Sequence, residues 1–300
     1  MKTVDLKSEG LFKLSQIKIE VSQAAAGLVS DYLLGLGSLG VAEDIQKNGT
    51  YQVSAYFPME IDIADVVSNL EQYSKVLKDS LPDVQIGSFT AEHIDQSSWQ
   101  VWKSVLKKIR AGNRVIIRPP WEDHNPSEGE IVVEINPSLA FGTGHHETTR
   151  LCVGAIEEIV SQREVQNALD IGCGSAILSI CAYKFGIEDV VGFDTDPIAI
   201  SESRKNARKN NVEDKIKFFC GYLSSVKGEY DLIVANVYIE PILAMKEDLK
   251  SRLAQQGTLV ISGIPHTRRD EAVRGLHKAG LKLTKEHREG DWVALEFAHN

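Results

Sequence analysis

The segment ALDIGCGSAILSI, residues 168–180, decides the fold. An apolar strand ends here, and Gly172 and Gly174 stand where the chain turns into a second apolar run of helical length. Glycine suits such a turn because a Cβ would hinder both the tight backbone path and the close approach of a ligand. The segment therefore predicts a strand-to-helix turn that a ligand can approach closely, and the residue at the end of the next strand decides which ligand.

Strands and helices alternate on both sides of this turn. The sequence after it predicts strands at 189–194, 215–220, 230–236 and 257–262, with helices beginning near Ala176 and Pro197 and running through 242–253 and 270–280. Such alternation is typical of a doubly wound α/β protein with an open parallel sheet. Two final strands, 281–289 and 291–298, are joined too tightly for a crossover, so the last strand must run antiparallel to its neighbour.

The N-terminal part of the chain has a different order of elements. Strands are predicted at 11–20, 40–45, 51–57 and 84–93, with helices at 24–37 and 64–81. The order βαββαβ predicts a smaller α+β domain of the ferredoxin-like type over residues 1–95. Residues 97–110 predict a helix, so 96–112 is expected to be a linker helix, and 113–300 form the sheet domain. Within that domain, 114–120 and 130–136 predict two further strands.

Composition and charge limit the partners of the protein. The 300 residues carry a net charge of −9, and residues 1–95 hold 14 Asp and Glu against 7 Lys and no Arg. An acidic region repels a phosphate backbone and suits a basic protein partner, so no direct reading of nucleic acid is expected. A merely solvated acidic surface is the alternative.

The cellular setting follows from what the sequence does not contain. The N-terminus is polar, and no apolar run approaches the roughly 20 residues that span a bilayer, so a cytoplasmic protein without membrane contact is expected. Four cysteines without CxxC spacing predict reduced thiols packed as small apolar groups.

The cofactor prediction depends on two aspartates. Asp194 ends the next predicted strand, 22 residues after Gly172, where a ribose-binding carboxylate is expected. Ile177 stands where a dinucleotide fingerprint has its third glycine, which disfavours NAD. Asp170, just before the loop, would repel a pyrophosphate but attract a cationic amino-acid cofactor, which favours S-adenosylmethionine. Asp196, followed by proline, is expected to cap a helix.

The segment FGTGHHETTR, residues 141–150, allows two interpretations. His145, His146 and Glu147 suggest a metal site, and a metal-dependent hydrolase would follow from it. Side chains of adjacent residues diverge, however, and no HExxH motif or second ligand cluster completes a site, so no metal is expected. The favoured interpretation is a loop over the cofactor, with Phe141, Gly142 and Thr143 among the cofactor-binding residues together with Gly174.

These motifs together resemble a known family. AFGTGHHETT (140–149), DIGCGSAIL (170–178), GFDTDP (192–197) and ANVYIEP (235–241), preceded by SSWQVWKSV (97–105) and PPWED (119–123), resemble PrmA, the bacterial ribosomal-protein methyltransferases. That family modifies the eleventh protein of the large ribosomal subunit, and the resemblance covers nearly the whole chain. It implies a class I methyltransferase with a seven-stranded sheet, which transfers methyl groups from S-adenosylmethionine to lysine side-chain and N-terminal amines.

The resemblance also implies site residues. The family's cofactor threonine falls on Thr149, with Thr148 as the alternative, and its first glycine falls on Gly172. Its ribose ligand falls on Asp194, and the asparagine of its cofactor site falls on Asn236. We expect Asn236 to bind the cofactor and also assign it a catalytic role, because a side-chain carbonyl orients an amine without adding charge.

Two positions depart from the family pattern. Ala176 stands where glycine is expected, which would weaken cofactor binding slightly without closing the pocket. Tyr238 stands where smaller aliphatic residues are usual, so it either shapes the acceptor entrance or covers a helix start. The sequence NVYI in place of NPPY disfavours a planar base or amide as acceptor and favours an amine.

Two other functions remain open at the level of sequence. A lysine methyltransferase of the same superfamily that acts on another protein, such as the electron-transfer flavoprotein beta subunit, would share the chemistry. A cofactor-binding module without catalysis would share the fold, and intact Asp170, Gly172, Asp194 and Asn236 argue against it.

Overall fold

The computed structural model describes residues 14–38, 40–46, 49–58, 61–80, 84–94, 107–136 and 146–300. The chain divides into two compact units, residues 1–107 and 108–300. The predicted site residues Phe141, Gly142 and Thr143 lie outside the described residues, as do His145 and residues 96–106 of the predicted linker helix.

The first unit has the predicted element order. It contains β1 (Leu14–Val21), α1 (Gln23–Gly35), β2 (Gly40–Ile45), β3 (Tyr51–Pro58), α2 (Ile63–Ser80) and β4 (Ile86–Ile94). The four strands form one antiparallel sheet in the order β2-β3-β1-β4. Alternate residues of β1, such as Ile17 and Ile19, are buried against Leu33 of α1 and Leu70 of α2. One face of the sheet is thus covered by both helices, as the period-2 pattern of β1 requires.

The second unit begins with a small sheet that corrects one prediction. Strands β5 (Ile109–Ala111), β6 (Val115–Arg118) and β7 (Ile131–Glu134) form it, with β5 antiparallel to β6 and β6 parallel to β7. The predicted linker helix, 96–112, is therefore wrong at its end, where Ile109–Ala111 is a strand. Gly112, at φ +61°, reverses the chain there, and the buried carboxylate of Glu157 accepts a hydrogen bond from the backbone N–H of Asn113.

The remainder of the unit is the predicted doubly wound sheet. Its strands are β8 (Asn167–Ile171), β9 (Asp189–Asp194), β10 (Ile216–Cys220), β11 (Tyr230–Asn236), β12 (Leu253–Pro265), β13 (Leu281–Glu289) and β14 (Trp292–His299). Its helices are α3 (Glu147–Gln162), α4 (Ile177–Lys184), α5 (Pro197–Lys209), α6 (Ile239–Ala244), α7 (Lys246–Arg252) and α8 (Arg269–Lys278). The seven strands have the order β10-β9-β8-β11-β12-β14-β13.

Strand direction and burial agree with the sequence pattern. Strands β8 to β12 pair in parallel, and β14 is antiparallel to β13 as predicted. Strand β14 is also antiparallel to β12. Along β11, Leu232 and Val234 enter one apolar cluster, while Ile233 and Ala235 enter the cluster on the opposite face. Both faces of the central strand are buried, which explains its continuous apolar run.

The topology also determines where a ligand binds. The chain proceeds from β8 to β9 and β10 in one direction, and then returns to the other side of β8 with β11 and β12. In open α/β sheets, ligands bind outside the carboxyl ends of the strands at such a reversal of strand order. The carboxyl ends of β8 and β11 are therefore the expected site.

The structure also describes the four cysteines and the apolar length of the helices. All four cysteines are free thiols, and Cys152, Cys173 and Cys181 are buried as predicted, whereas Cys220 is exposed. In the described ranges, every helix is too short or too polar to span a bilayer.

Candidate functional site

The turn after β8 has a left-handed backbone at three positions. Gly172, Gly174 and Ala176 have φ values of +66°, +52° and +66°. A Cβ on Gly172 would lie only 2.7 Å from Cγ1 of Val237, so glycine is required there by the neighbouring chain as well as by φ. Ala176 adopts this conformation at a cost of about 1–2 kcal/mol, and its methyl group is buried in the apolar core.

The carboxylate of Asp194 ties the end of β9 to this turn. Its Oδ2 accepts a hydrogen bond from the backbone N–H of Gly174 at 3.0 Å, and its Oδ1 accepts one from the N–H of Asp196 at 3.0 Å. Each carboxylate oxygen has a further lone pair, so Asp194 keeps acceptor capacity for a ligand hydroxyl. Asp196 caps α5 as predicted, because its Oδ1 accepts from the N–H of Ile198 at 2.8 Å.

Two buried residues of α5, which the sequence interpretation missed, hold the carbonyl groups of the turn. Ser203 Oγ donates to the carbonyl of Gly174 at 2.7 Å, and Asn206 Nδ2 donates to that of Ser175 at 2.9 Å. Both side chains are fully buried. Their spacing of three residues on one helix face was the available signal, since buried polar groups require partners.

Cys173 has a packing role in the same turn. Its Sγ lies 3.4 Å from Ser203 Oγ, and burial raises the pKa of the thiol well above its ordinary value. The thiol therefore stays protonated and is a poor nucleophile, in agreement with the packed, reduced thiols expected from the sequence.

Asp170, at the end of β8, is almost completely buried. Its Oδ2 accepts hydrogen bonds from the N–H of Ser179 at 3.0 Å and from Ser179 Oγ at 2.6 Å. Burial raises the pKa of this carboxyl to about 7 although the Ser179 bonds oppose the shift, and the charge of Asp194 raises it further. Near neutral pH, Asp170 is thus close to the midpoint of its titration.

Asn236 and Thr149 meet at the carboxyl end of β11. Asn236 Nδ2 donates to Thr149 Oγ1 at 3.4 Å, and Thr149 is fully buried in the first turn of α3. The hydroxyl of Thr148 contacts a different group, since its Oγ1 lies 2.7 Å from Nδ1 of His146. Of the two candidate threonines, Thr149 is the one beside Asn236. Since Ala235 pairs with Ile171, Asn236 also lies next to Gly172.

His146 makes structural contacts at the start of α3. Its Nδ1 accepts from the N–H of Thr148 at 3.3 Å and so caps α3, and its ring packs edge-on against Trp292 at 4.7 Å. Across the ranges that the structure describes, no group of three or more His, Cys, Asp or Glu side chains is arranged to hold a metal ion.

The closing hairpin also contacts the start of α3. Arg150 donates to Oε1 of Glu289 through Nη2 at 2.6 Å and through Nε at 3.0 Å. Together with the contact between His146 and Trp292, this ion pair fixes the helix turn that carries Thr149. The sequence gives no local signal for a pair that is 139 residues apart.

The site fits a ligand that brings hydrogen-bond donors. Among the described residues, Asp170 Oδ1 and Asn236 Oδ1 are buried side-chain oxygens without a hydrogen-bond partner. An unpaired buried acceptor costs about 1–3 kcal/mol, so both oxygens would gain from a donor. The ammonium group of S-adenosylmethionine suits Asp170, and an acceptor amine suits Asn236.

Comparison with known proteins decides the family. Residues 13–300 match the family "Ribosomal protein L11 methyltransferase (PrmA)". The chain belongs to this family. A "Ribosomal protein L11 methyltransferase" of Clostridium perfringens (strain SM101 / Type A) is 37% identical over 244 residues, which cover 81% of this chain and 77% of that protein. One of Exiguobacterium sp. is 34% identical over 309 residues, with 94% and 98% coverage.

A solved structure agrees with the fold. The "ribosomal protein L11 methylase" of Lactobacillus delbrueckii subsp. bulgaricus aligns with a TM-score of 0.60 at 28% identity, over 65% of this chain and 99% of that chain. PrmA proteins are class I methyltransferases that use S-adenosylmethionine, so the predicted family, sheet and cofactor are confirmed. The relatives' names favour a ribosomal acceptor over the flavoprotein alternative. The roles of individual site residues stay predictions.

The substitution Asp170→Asn tests the burial of this carboxyl. An aspartate in an unfolded chain has a pKa of about 3.9. With a folded-state pKa of about 7, the folded protein binds more protons between these values, so the free energy of unfolding falls as pH rises from 4 to 7. We expect the variant to be more stable than the wild type at pH 8, by on the order of 3 kcal/mol, and this gain to vanish at pH 4.

The measurement is urea unfolding of the cofactor-free full chain at both pH values. The same variant should bind S-adenosylmethionine at least tenfold more weakly at pH 8 by calorimetry. Asp189→Asn, at the exposed start of β9, is the control and should change neither quantity much. Equal stability of Asp170→Asn and wild type at pH 8 would show that the carboxyl carries no burial cost.

Proposed function

We propose that this protein transfers methyl groups from S-adenosylmethionine to lysine side-chain and N-terminal amines of ribosomal protein L11. The main support for this proposal is the position of Asn236 and the unpaired carbonyl oxygen of its side chain. In a chain of this family, Asn236 is held by Thr149 beside the glycine turn, and its carbonyl oxygen is buried without a partner in the described region.

The predicted cofactor residues divide by the group that each would hold. Asp170 would bind the ammonium group, and Asp194 would accept hydrogen bonds from the ribose hydroxyls. Gly172 and Gly174 would allow the backbone to approach the ligand, and Thr149 would contribute its hydroxyl. Phe141, Gly142 and Thr143 are assigned to the cofactor from the sequence. When bound, the cofactor supplies an electrophilic methyl group on its sulfonium.

Asn236 acts on the acceptor amine. A free lysine has a pKa of about 10.4, so the neutral amine costs about 4 kcal/mol near pH 7. No strong base is needed if this proton leaves to water before attack. Asn236 Oδ1 then accepts an N–H of the amine and directs its lone pair, and such orientation in a desolvated site is worth several kcal/mol. A carboxylate at this position would instead stabilise the unreactive ammonium form.

The acidic N-terminal region would recognise the substrate. Exposed acids of the first unit include Glu43, Asp44, Asp65 and Glu71. A basic ribosomal protein of the large subunit, free or assembled, complements this charge, whereas a nucleic acid does not. We therefore assign residues 1–95 to substrate recognition and 113–300 to methyl transfer, in the cytoplasm and without direct reading of nucleic acid.

Incubation with labelled S-adenosylmethionine and unmethylated recombinant ribosomal protein L11, followed by mass spectrometry, tests the function. We expect labelled lysines and a labelled N-terminus. Asn236→Ala should reduce kcat by about 100-fold because the amine loses its orientation. Asn167→Ala, at the amino end of β8 and so away from the carboxyl ends of the strands, should keep kcat. Absence of label in L11 with the wild type would refute the function, and full activity of Asn236→Ala would refute the role of Asn236.

Charge reversal on α2 tests the recognition role of the first unit. Asp65→Lys with Glu71→Lys should raise the KM for L11 about fivefold at low salt, because the attraction to a basic substrate weakens, and the difference should shrink in 0.5 M salt. The dissociation constant of S-adenosylmethionine should not change. Lys75→Glu, which adds negative charge to the same helix, should leave the KM equal or lower. A KM for L11 that is unchanged by all three charge substitutions would contradict the assignment.

A further inference from the structure

Tyr238 is an exposed aromatic residue beside the candidate catalytic group. It follows Asn236 by two residues and forms the N-cap of α6. Its relative exposure is 65%, although Ile239, the next residue, is 1% exposed. A single exposed apolar side chain needs no explanation by itself, so the case for a role depends on where and how this ring is held.

The backbone before Tyr238 is tightly confined. Val237 lies between two glycines, and a Cβ on Gly172 would come within 2.7 Å of its Cγ1. On the other side, a Cβ on Gly263 would come within 2.5 Å of the Val237 carbonyl oxygen, and Gly263 has φ +81°. Val237 is packed on one side of Tyr238 and Ile239 is buried on the other. The backbone that carries the exposed ring of Tyr238 is therefore held rigidly.

The direction of the ring separates it from the cofactor turn. Tyr238 has a polyproline II-like backbone, with φ −56° and ψ 156°. This conformation has three residues per turn, so successive side chains point about a third of a turn apart. Because Val237 packs against Gly172 of the cofactor turn and the ring of Tyr238 is 65% exposed, the ring points away from Val237, towards solvent. Tyr238 is thus placed to meet a molecule that approaches Asn236 from outside.

We propose that Tyr238 is an acceptor-binding residue. Its ring packs against the methylene stem of the lysine whose amine is presented to Asn236, and its face attracts the methylated ammonium product by a cation–π interaction. Methyl groups spread the charge and add apolar surface, so the contact strengthens after the first transfer. Tyr238 therefore retains a partly methylated lysine, which loses its proton to water before it attacks the methyl group of the next cofactor. This inference rests on the proposed function, which supplies the lysine.

The test compares full-length wild type, Tyr238→Ala, Tyr238→Phe and Tyr222→Ala with unmethylated ribosomal protein L11. Tyr222 is the matched control, since it is 68% exposed but follows β10, three strands away from β11. We expect Tyr238→Ala to raise the KM for L11 about fivefold and to shift the products from tri- and dimethyl-lysine towards monomethyl-lysine. Tyr238→Phe keeps the ring face and should behave like wild type. Tyr222→Ala should leave the KM for L11 and the methylation degree unchanged.

Other outcomes overturn the inference in distinguishable ways. If wild type methylates L11 and Tyr238→Ala has the same KM and product distribution, Tyr238 does not bind the acceptor. If Tyr238→Ala instead lowers the unfolding temperature, with a loss of activity that is confined to kcat, the ring only covers the start of α6. If wild type does not methylate L11 at all, the proposed function fails, and the role of Tyr238 fails with it.

Discussion

The left-handed turn from β8 into α4 is the constraint on which the rest of the site depends. A positive φ at Gly172 lets the chain turn sharply and lets Val237 pack against it. Asp194, Ser203 and Asn206 bind this turn from β9 and α5. The loop is therefore preorganised by neighbouring elements, and a ligand at the strand ends meets a backbone that is already in place.

Beside this turn, two buried side-chain oxygens lack a hydrogen-bond donor among the described residues. Asp170 uses one carboxylate oxygen for Ser179, while its other oxygen and the carbonyl of Asn236 lack a partner in the described part of the chain. Such groups reduce the stability of the protein without its ligand and add to the binding free energy when donors arrive. The protein without ligand is therefore less stable, and binds its ligands more tightly, because of unpaired oxygens at the positions where the cofactor ammonium and the acceptor amine are proposed to bind.

Local patterns in the sequence predicted the sheet and the turn because both depend on neighbouring residues. No tertiary information was needed to predict the apolar run of β11, the glycine turn at 172 and 174, or the helix cap at Asp196. The strand Ile109–Ala111 was predicted as helix because its periodicity is helical, and the turn at Gly112 and pairing with β6 override it. The role of Ser203 and Asn206 could have been predicted, because both polar residues lie on the buried face of one helix. The ion pair between Arg150 and Glu289 could not, because it depends on tertiary contact.

Proton release on cofactor binding tests the role of Asp170 most directly. A carboxyl with a pKa of about 7 is about 90% protonated at pH 6, and it must ionise to hold an ammonium group. Titration calorimetry of S-adenosylmethionine in buffers of different ionisation enthalpy should show release of nearly one proton per cofactor at pH 6, about half a proton at pH 7, where the carboxyl is half ionised, and none at either pH for Asp170→Asn. The same proton count in wild type and Asp170→Asn at pH 6 would contradict the assignment of Asp170 to the cofactor.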